Sequence, residues 1–145
     1  MTNREKKEWL KRYKDLDEEI NSLLREQEQW RALLMRVTPA YSLTARGEGD
    51  PHSRENIISK ICDLEDEINA TIDKRLDVRA EISAAIDRVP NDRQRTLLRL
   101  RYIEGRKWDD IAERMYYDID AKSVYKLHGW ALLALKVEGS RYDRA

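Results

Sequence analysis

The sequence predicts an all-α protein: a long antiparallel, coiled-coil-like helical hairpin followed by a three-helix domain that ends in a helix-turn-helix. Apolar residues recur at helical spacing through most of the 145 residues. Charged residues make up 39% of the chain, and phenylalanine is absent. This composition is typical of long solvated helices that form a core only where they meet.

The first predicted helix covers residues 3–36, and its apolar residues step alternately by four and three positions. This stepping is the heptad pattern of a coiled-coil seam. The seam consists of Trp9, Tyr13, Leu16, Ile20, Leu23, Gln27, Trp30, Leu34 and Val37. Gln27 interrupts the apolar seam and is either a device that fixes the register or a tolerated polar contact. Thr38-Pro39 is expected to end the helix, because a residue before proline avoids the α region.

A flexible loop is predicted at residues 38–53, where glycines and prolines occur without a helical period. Ser53 is expected to cap a second helix over residues 54–88. Its stripe keeps the heptad stepping until Ile72 and Leu76 break it, as a stutter does. Because two narrow stripes bury little area, we expect the hairpin of residues 1–89 to form a homo-oligomer through these helices.

A second domain is predicted at residues 91–137, followed by a tail at 138–145, because Pro90 interrupts the helical pattern. Asn91 or Asp92 is expected to cap its first helix, and Gly105 to close that helix in a left-handed conformation. The predicted helices cover residues 93–104, residues 108–115, and residues 120 or 121 to about 136.

The last of these helices has the features of a recognition helix. Its predicted inward stripe is Val124, Leu127, Ala131, Leu132 and Leu135. Ala121, Lys122, Tyr125 and Lys126 would then point outward near its start, where helix-turn-helix proteins contact base edges in the major groove. Candidates for phosphate positioning are Arg95, Arg99, Arg106 and Lys107. His128 lies one turn further on and is predicted to be structural rather than a ligand.

The net charge of zero hides an asymmetry along the chain. Residues 1–90 contain 16 Lys and Arg against 19 Asp and Glu, a net of −3. Residues 91–145 contain 12 against 9, a net of +3. The basic part coincides with the predicted DNA-binding domain. An excess this small predicts weak non-specific binding that needs a dimer or a second protein.

Several classes of protein are disfavoured by what the sequence lacks. The single cysteine, Cys62, excludes a disulfide framework within one chain and is expected to be half-buried. No signal peptide or membrane-spanning apolar run is visible, so we expect a cytoplasmic protein without a membrane partner. No nucleophile–base pair, glycine-rich phosphate loop or metal constellation is visible either. We therefore expect neither enzymatic activity nor a cofactor.

The segments LRLRYIEGRKWDDIAERM and VYKLHGWALLAL resemble phage and prophage sigma-factor-like transcription regulators, of the kind called RinA-like or ArpU-like. Those proteins resemble region 4 of sigma factors, which reads the −35 promoter element. IISKICDLEDEIN and the coiled first half extend the resemblance over most of the chain. It implies a sequence-specific regulator that binds double-stranded DNA and activates late genes, with RNA polymerase as a second partner.

Three features depart from that family's pattern. The turn between Met115 and Val124 is longer, Lys107 replaces a common Thr or Ser cap, and Trp130 replaces a common basic residue. Two other functions remain open. A helix-turn-helix joined to a coiled coil also describes phage small terminase subunits, which form rings and load DNA for packaging. The near-neutral charge also allows an RNA polymerase-binding module that does not contact DNA.

Overall fold

A computed structural model of the protein describes residues 1–43, 51–115 and 121–137. All regular structure in these ranges is helical, which confirms the predicted all-α class of a hairpin followed by a helical domain. The helices are α1 (Asn3–Leu43), α2 (Pro51–Asp87), α3 (Asp92–Leu98), α4 (Trp108–Arg114) and α5 (Ala121–Ala134). A π-helical turn, Arg99–Ile103, continues α3 without a break.

α1 begins with a reciprocal capping box and continues further than the sequence predicted. The Glu5 amide donates to the Thr2 hydroxyl over 3.2 Å, and the Thr2 amide donates to the Glu5 carboxylate over 2.7 Å. At its other end α1 passes through Pro39 to Leu43, so the predicted stop at Thr38-Pro39 is wrong. The Thr38 hydroxyl donates to the Leu34 carbonyl over 2.8 Å. Such back-bonding bends helices, and a bent helix accommodates proline.

α2 begins at Pro51, two residues before the predicted cap at Ser53. Proline is favoured at the first helical position, because its fixed φ suits a helix and its missing N–H has no partner there. The predicted loop at residues 38–53 is therefore helical at both ends, as far as Leu43 and from Pro51 onward. Residues 44–50 lie outside the described part of the chain.

The inward face of α2 keeps an unbroken four-three stepping, so the predicted stutter is wrong. The inward positions, half-buried at Ile61 and Arg75 and buried elsewhere, are Ile57, Ile61, Leu64, Ile68, Thr71, Arg75, Val78, Ile82 and Ala85. Thr71 and Arg75 occupy two of them, whereas Leu76 is 59% exposed. The Thr71 hydroxyl donates to the Glu67 carbonyl over 2.8 Å, and the Arg75 guanidinium donates to the Tyr13 hydroxyl over 2.9 Å. These hydrogen bonds allow polar side chains on a buried face.

The chain divides into two compact units, one of residues 1–15 and 75–145 and the other of residues 16–74. The division does not follow the boundary predicted at residues 89–91. The start of α1 and the end of α2 belong with α3, α4 and α5 because they supply fully buried side chains to that unit, among them Leu10, Ile82 and Ile86. We call residues 1–15 and 75–145 the basic unit and residues 16–74 the acidic unit, because their net charges are +6 and −6.

In the acidic unit α1 and α2 run antiparallel, and a buried glutamine joins them. Gln27 is 2% exposed, and its amide nitrogen donates to the Glu65 carboxylate over 2.8 Å and to the Ile61 carbonyl over 3.3 Å. Both amide hydrogens thus have acceptors on α2, which favours the register role over a tolerated polar contact. Cys62, expected to be half-buried, is exposed because it follows the inward residue Ile61.

In the basic unit α5 packs on both α3 and α4 around an apolar core. Its largest fully buried side chains include Leu97, Leu98, Ile111 and Leu132. The Asn91 side chain accepts from the Gln94 amide over 3.0 Å, which confirms one of the two predicted caps of α3. Gly105 has a φ of +69°, as predicted, and the Arg106 amide beyond it donates back to the Leu100 carbonyl over 2.9 Å.

Candidate nucleic-acid interface

α5 has the orientation that the sequence predicted. Val124 is 1% exposed and Leu127 is 7% exposed, so both belong to the core. Further along the helix Ala131, Leu132 and Leu135 are also buried, which confirms the predicted stripe. Lys122, Tyr125 and Lys126 lie on the opposite face and are exposed, Tyr125 to 58%. Ala121 is the first residue of α5, and its side chain lies outside the described part.

An aromatic cluster supports the exposed face of α5 from beneath. The rings of Tyr125 and Trp108 are 5.4 Å apart, and the ring of His128 meets Trp108 edge-on at 4.6 Å. The guanidinium of Arg101 lies 4.5 Å from the centre of the Trp108 ring, a cation–π contact. Trp108 thereby joins α4, α5 and the π-helical turn. Tyr125 is exposed on one side and held by a ring on the other.

His128 is the buried centre of this cluster. It is 6% exposed, and its Nε2 lies 2.7 Å from the Tyr102 hydroxyl. Burial, together with the positive charges of Lys7, Arg101 and Lys11, lowers the pKa of His128 to about 4. Burial raises the pKa of Tyr102 to about 12, against the opposing charge of Arg101.

The imidazole is therefore neutral at pH 7, and its Nε2 forms a hydrogen bond with the Tyr102 phenol. This fits the structural role predicted for His128. Among the described residues, no group of three or more His, Cys, Asp or Glu side chains lies close enough to hold a metal ion.

Two of the predicted phosphate-positioning residues hold the junction between α2 and α3. The Arg95 guanidinium donates to the carbonyls of Val89 at 2.6 Å and Pro90 at 3.0 Å, and it forms an ion pair with Asp92. Arg99 forms an ion pair with Asp87 across the same turn. These contacts give both arginines protein partners, so they provide less free positive charge than the sequence suggested.

The other two predicted phosphate-positioning residues lie between the π-helical turn and α4. Arg106 is shared between Asp110 at 3.2 Å and Glu104 at 3.4 Å. Lys107 is exposed and occupies the N-cap position of α4, but its side chain forms no capping hydrogen bond. Lys107, Lys122 and Lys126 have no ion pair with any acidic residue in the described part of the chain.

The charge of the protein is segregated between the two units. Residues 1–15 and 75–145 contain 21 Lys and Arg against 15 Asp and Glu, a net of +6. Residues 16–74 contain 7 against 13, a net of −6. The contrast is twice the one obtained by dividing the sequence at residue 90. The difference arises because the lysine-rich start of α1 belongs to the same unit as α5.

The contact between the start of α1 and α5 is the part of the site that sequence reasoning missed. The Asn3 side chain donates to the Gly129 carbonyl over 3.4 Å, and the Lys6 ammonium donates to the Leu132 carbonyl over 2.7 Å. Burial lowers the pKa of Lys6. The partners are 126 residues apart in the chain, which no local pattern reveals. The helical spacing of Lys7, Lys11 and Lys14 indicates a basic face on α1 but not the contact of this helix with α5.

The second half of α5 exposes apolar side chains. Trp130 is 58% exposed and Leu133 is 69% exposed, and their spacing of three residues puts them on one face of the helix. Trp130 is the residue found where the resembling family commonly has a basic one. The turn predicted to be lengthened, residues 116–123, lies largely outside the described part.

The chain matches no protein-family model, no curated protein and no solved structure. Among the described helices, none is both long enough and apolar enough to cross a membrane.

Proposed function

We propose that the protein is a sequence-specific DNA-binding transcription regulator and that α5 is its recognition helix. One observation supports this most directly. α5 buries Val124 and Leu127 and presents Lys122, Tyr125 and Lys126 outward from its first two turns. In helix-turn-helix proteins these are the turns that enter the major groove. The net charge of +6 on the same unit favours a polyanionic partner.

The three exposed side chains suit different parts of such an interface. Lys122 and Lys126 are able to donate to guanine acceptors or to phosphates. Tyr125 offers a ring for a thymine methyl group, and Trp108 restricts where that ring lies. Because Arg95, Arg99 and Arg106 have acidic partners, the lysines supply most of the unpaired charge near α5.

The resemblance to sigma-like phage and prophage regulators extends the proposal. A regulator of that kind activates late genes from promoter DNA, in the manner of sigma region 4. The separation of charge between the two units suits this role. The basic unit faces DNA, while the hairpin of the acidic unit is available for self-association or for a protein partner.

The test begins with selection of bound fragments from random and phage DNA, followed by a salt titration on the selected sequence. We expect a preferred sequence and an affinity that falls as salt rises. The double variant Lys122→Ala/Lys126→Ala should weaken specific binding roughly 10-fold or more, since each good base contact contributes about 1–3 kcal/mol.

The matched control is Arg25→Ala/Arg36→Ala, which removes two exposed positive charges from the acidic unit. It should leave specific binding unchanged. No salt-sensitive binding by the unaltered protein would refute the proposal. Equal losses in the two variants would show that the assignment of α5 is wrong.

A second candidate function is an RNA polymerase-binding module that does not contact DNA. The exposed pair Trp130 and Leu133 favours it, because adjacent exposed apolar side chains commonly mark protein contacts. This function predicts that purified core RNA polymerase retains the protein and that Trp130→Ala/Leu133→Ala abolishes retention. Retention of polymerase together with no DNA binding would select this candidate over the regulator.

A further inference from the structure

We propose that Lys7, Lys11 and Lys14 on α1 form a second phosphate-binding surface for the DNA duplex that α5 contacts. We call these residues the α1 lysine stripe. The inference rests on the proposed function and adds a contact element outside the helix-turn-helix. The stripe belongs to the same compact unit as α5, although more than 100 residues separate the two in the chain.

The stripe is a continuous, outward-facing row of positive charge. Its members are four and three residues apart, which puts them on one face of α1, and all are exposed. Like charges at these spacings repel one another along a helix. The ion pairs formed by their described neighbours on this part of α1, Arg4 with Glu8 at 3.7 Å and Arg12 with Glu81 at 3.2 Å, do not include them. Glu8 and Asp15 offset part of this repulsion at Lys11, since they lie three and four residues from it, and an anion from outside the described chain would relieve the rest.

The packing of α1 brings the stripe close to the recognition helix. Asn3 and Lys6 reach α5 carbonyls at Gly129 and Leu132, at 3.4 Å and 2.7 Å. These bonds hold the first turns of α1 against the second half of α5. The positive charges of Lys7 and Lys11 contribute to the lowered pKa of His128, which lies three residues after Tyr125 on α5. A duplex engaged by α5 therefore lies within reach of long lysine side chains on α1.

The chemistry of the stripe fits a DNA backbone better than an acidic protein. From Lys7 to Lys14 the helix rises by about 10 Å, since each residue adds about 1.5 Å. Three steps of a DNA strand cover about the same distance at roughly 3.4 Å each. Among the described residues, the stripe has no exposed large apolar side chain beside it on α1 before Leu24. Protein interfaces usually include such a side chain at their centre.

The test compares two triple variants of the full chain on the duplex selected for the unaltered protein. Lys7→Ala/Lys11→Ala/Lys14→Ala removes the stripe, and Arg25→Ala/Arg36→Ala/Lys60→Ala removes equal charge at exposed positions of the acidic unit. Both substitute a strong helix former, so the helices are retained. We expect the stripe variant to lower the slope of log affinity against log salt by about 2–3, at about 0.9 per lost phosphate contact.

The control variant should keep the slope of the unaltered protein, as should Lys7→Arg/Lys11→Arg/Lys14→Arg, which keeps the charge. A slope unchanged by removal of the stripe overturns the proposal. It would favour an acidic protein surface as the partner of these lysines. If Lys122→Ala/Lys126→Ala weakens binding and the stripe variant does not, only this inference fails. If the unaltered protein binds no DNA, the proposed function fails with it. Circular dichroism of each variant excludes loss of α1 as the cause.

Discussion

Acidification should destabilise the protein through His128. In the folded protein burial and the nearby cations lower the pKa of His128 to about 4, against an ordinary value of 6.5. The unfolded chain therefore takes up this proton at a higher pH than the folded protein does. The stabilising contribution is complete above about pH 6.5 and is lost as the pH falls towards 4.

The magnitude follows from the separation of the two pKa values. At pH 5 the unfolded histidine is almost fully protonated while the folded one remains mostly neutral, which gives a loss of about 2 kcal/mol relative to pH 8. The complete loss below pH 4 is about 3 kcal/mol, at 1.36 kcal/mol for each pKa unit. For a chain of this size such a loss is a large part of the total stability.

Urea unfolding at pH 8, 6 and 5, followed by circular dichroism, measures this effect when the protein is compared with His128→Gln. The variant lacks the buried titrating group but keeps a polar side chain opposite Tyr102. We expect it to be less stable at pH 8 and to lose about 2 kcal/mol less than the unaltered protein between pH 8 and pH 5. Parallel losses in the two proteins would refute this account of His128. The other histidine, His52, is present in both and cancels.

Two further predictions concern the backbone of the basic unit. Gly105→Ala should lower the free energy of unfolding by about 1–2 kcal/mol, because alanine is strained at a φ of +69°. Gly129→Ala should raise the free energy of unfolding by up to about 1 kcal/mol, because that glycine is inside a helix and an added Cβ meets nothing within 4 Å. Urea midpoints that move in the same direction for both substitutions would contradict this reasoning. Asn91→Ala should lower the free energy of unfolding by about 1 kcal/mol, and with it the thermal midpoint, because it removes the cap of α3. The control Asn69→Ala, at an exposed position inside α2, should change the thermal midpoint little. Equal shifts would show that the cap contributes nothing.

The features predicted correctly from the sequence are those fixed by neighbours in the chain. The buried stripe of α5 follows from helical spacing, and Gly105 follows from the need for a left-handed residue where a helix closes. Asn91 follows from the chemistry of helix starts. Each is decided within a few residues, so the sequence alone contains the information.

The wrong predictions share a dependence on partners that the local sequence does not show. Thr71 and Arg75 continue the inward face of α2 because the Glu67 carbonyl and the Tyr13 hydroxyl accept their protons. A search for apolar periodicity passes over both and chooses Leu76, which is exposed. The stop predicted at Pro39 treats proline as decisive, but a helix continues through proline when the bend is accommodated.

The packing of the start of α1 with α5 doubles the net charge of the unit that contains the proposed recognition helix. Judged from residues 91–145, the basic surface has a net charge of +3, too small to favour DNA strongly. When the start of α1 is included in that surface, the net charge is +6. In the sequence Lys11 looks like part of a remote coiled coil, but in the structure its charge contributes to the lowered pKa of His128. Burial is the largest cause of the lowered pKa of His128, and this positive potential adds to it, because an imidazole is harder to protonate near cations. The cations that would attract a phosphate backbone thus add to the effect of burial that destabilises the protein in acid, and they come close to His128 because the two ends of the sequence fold into one unit.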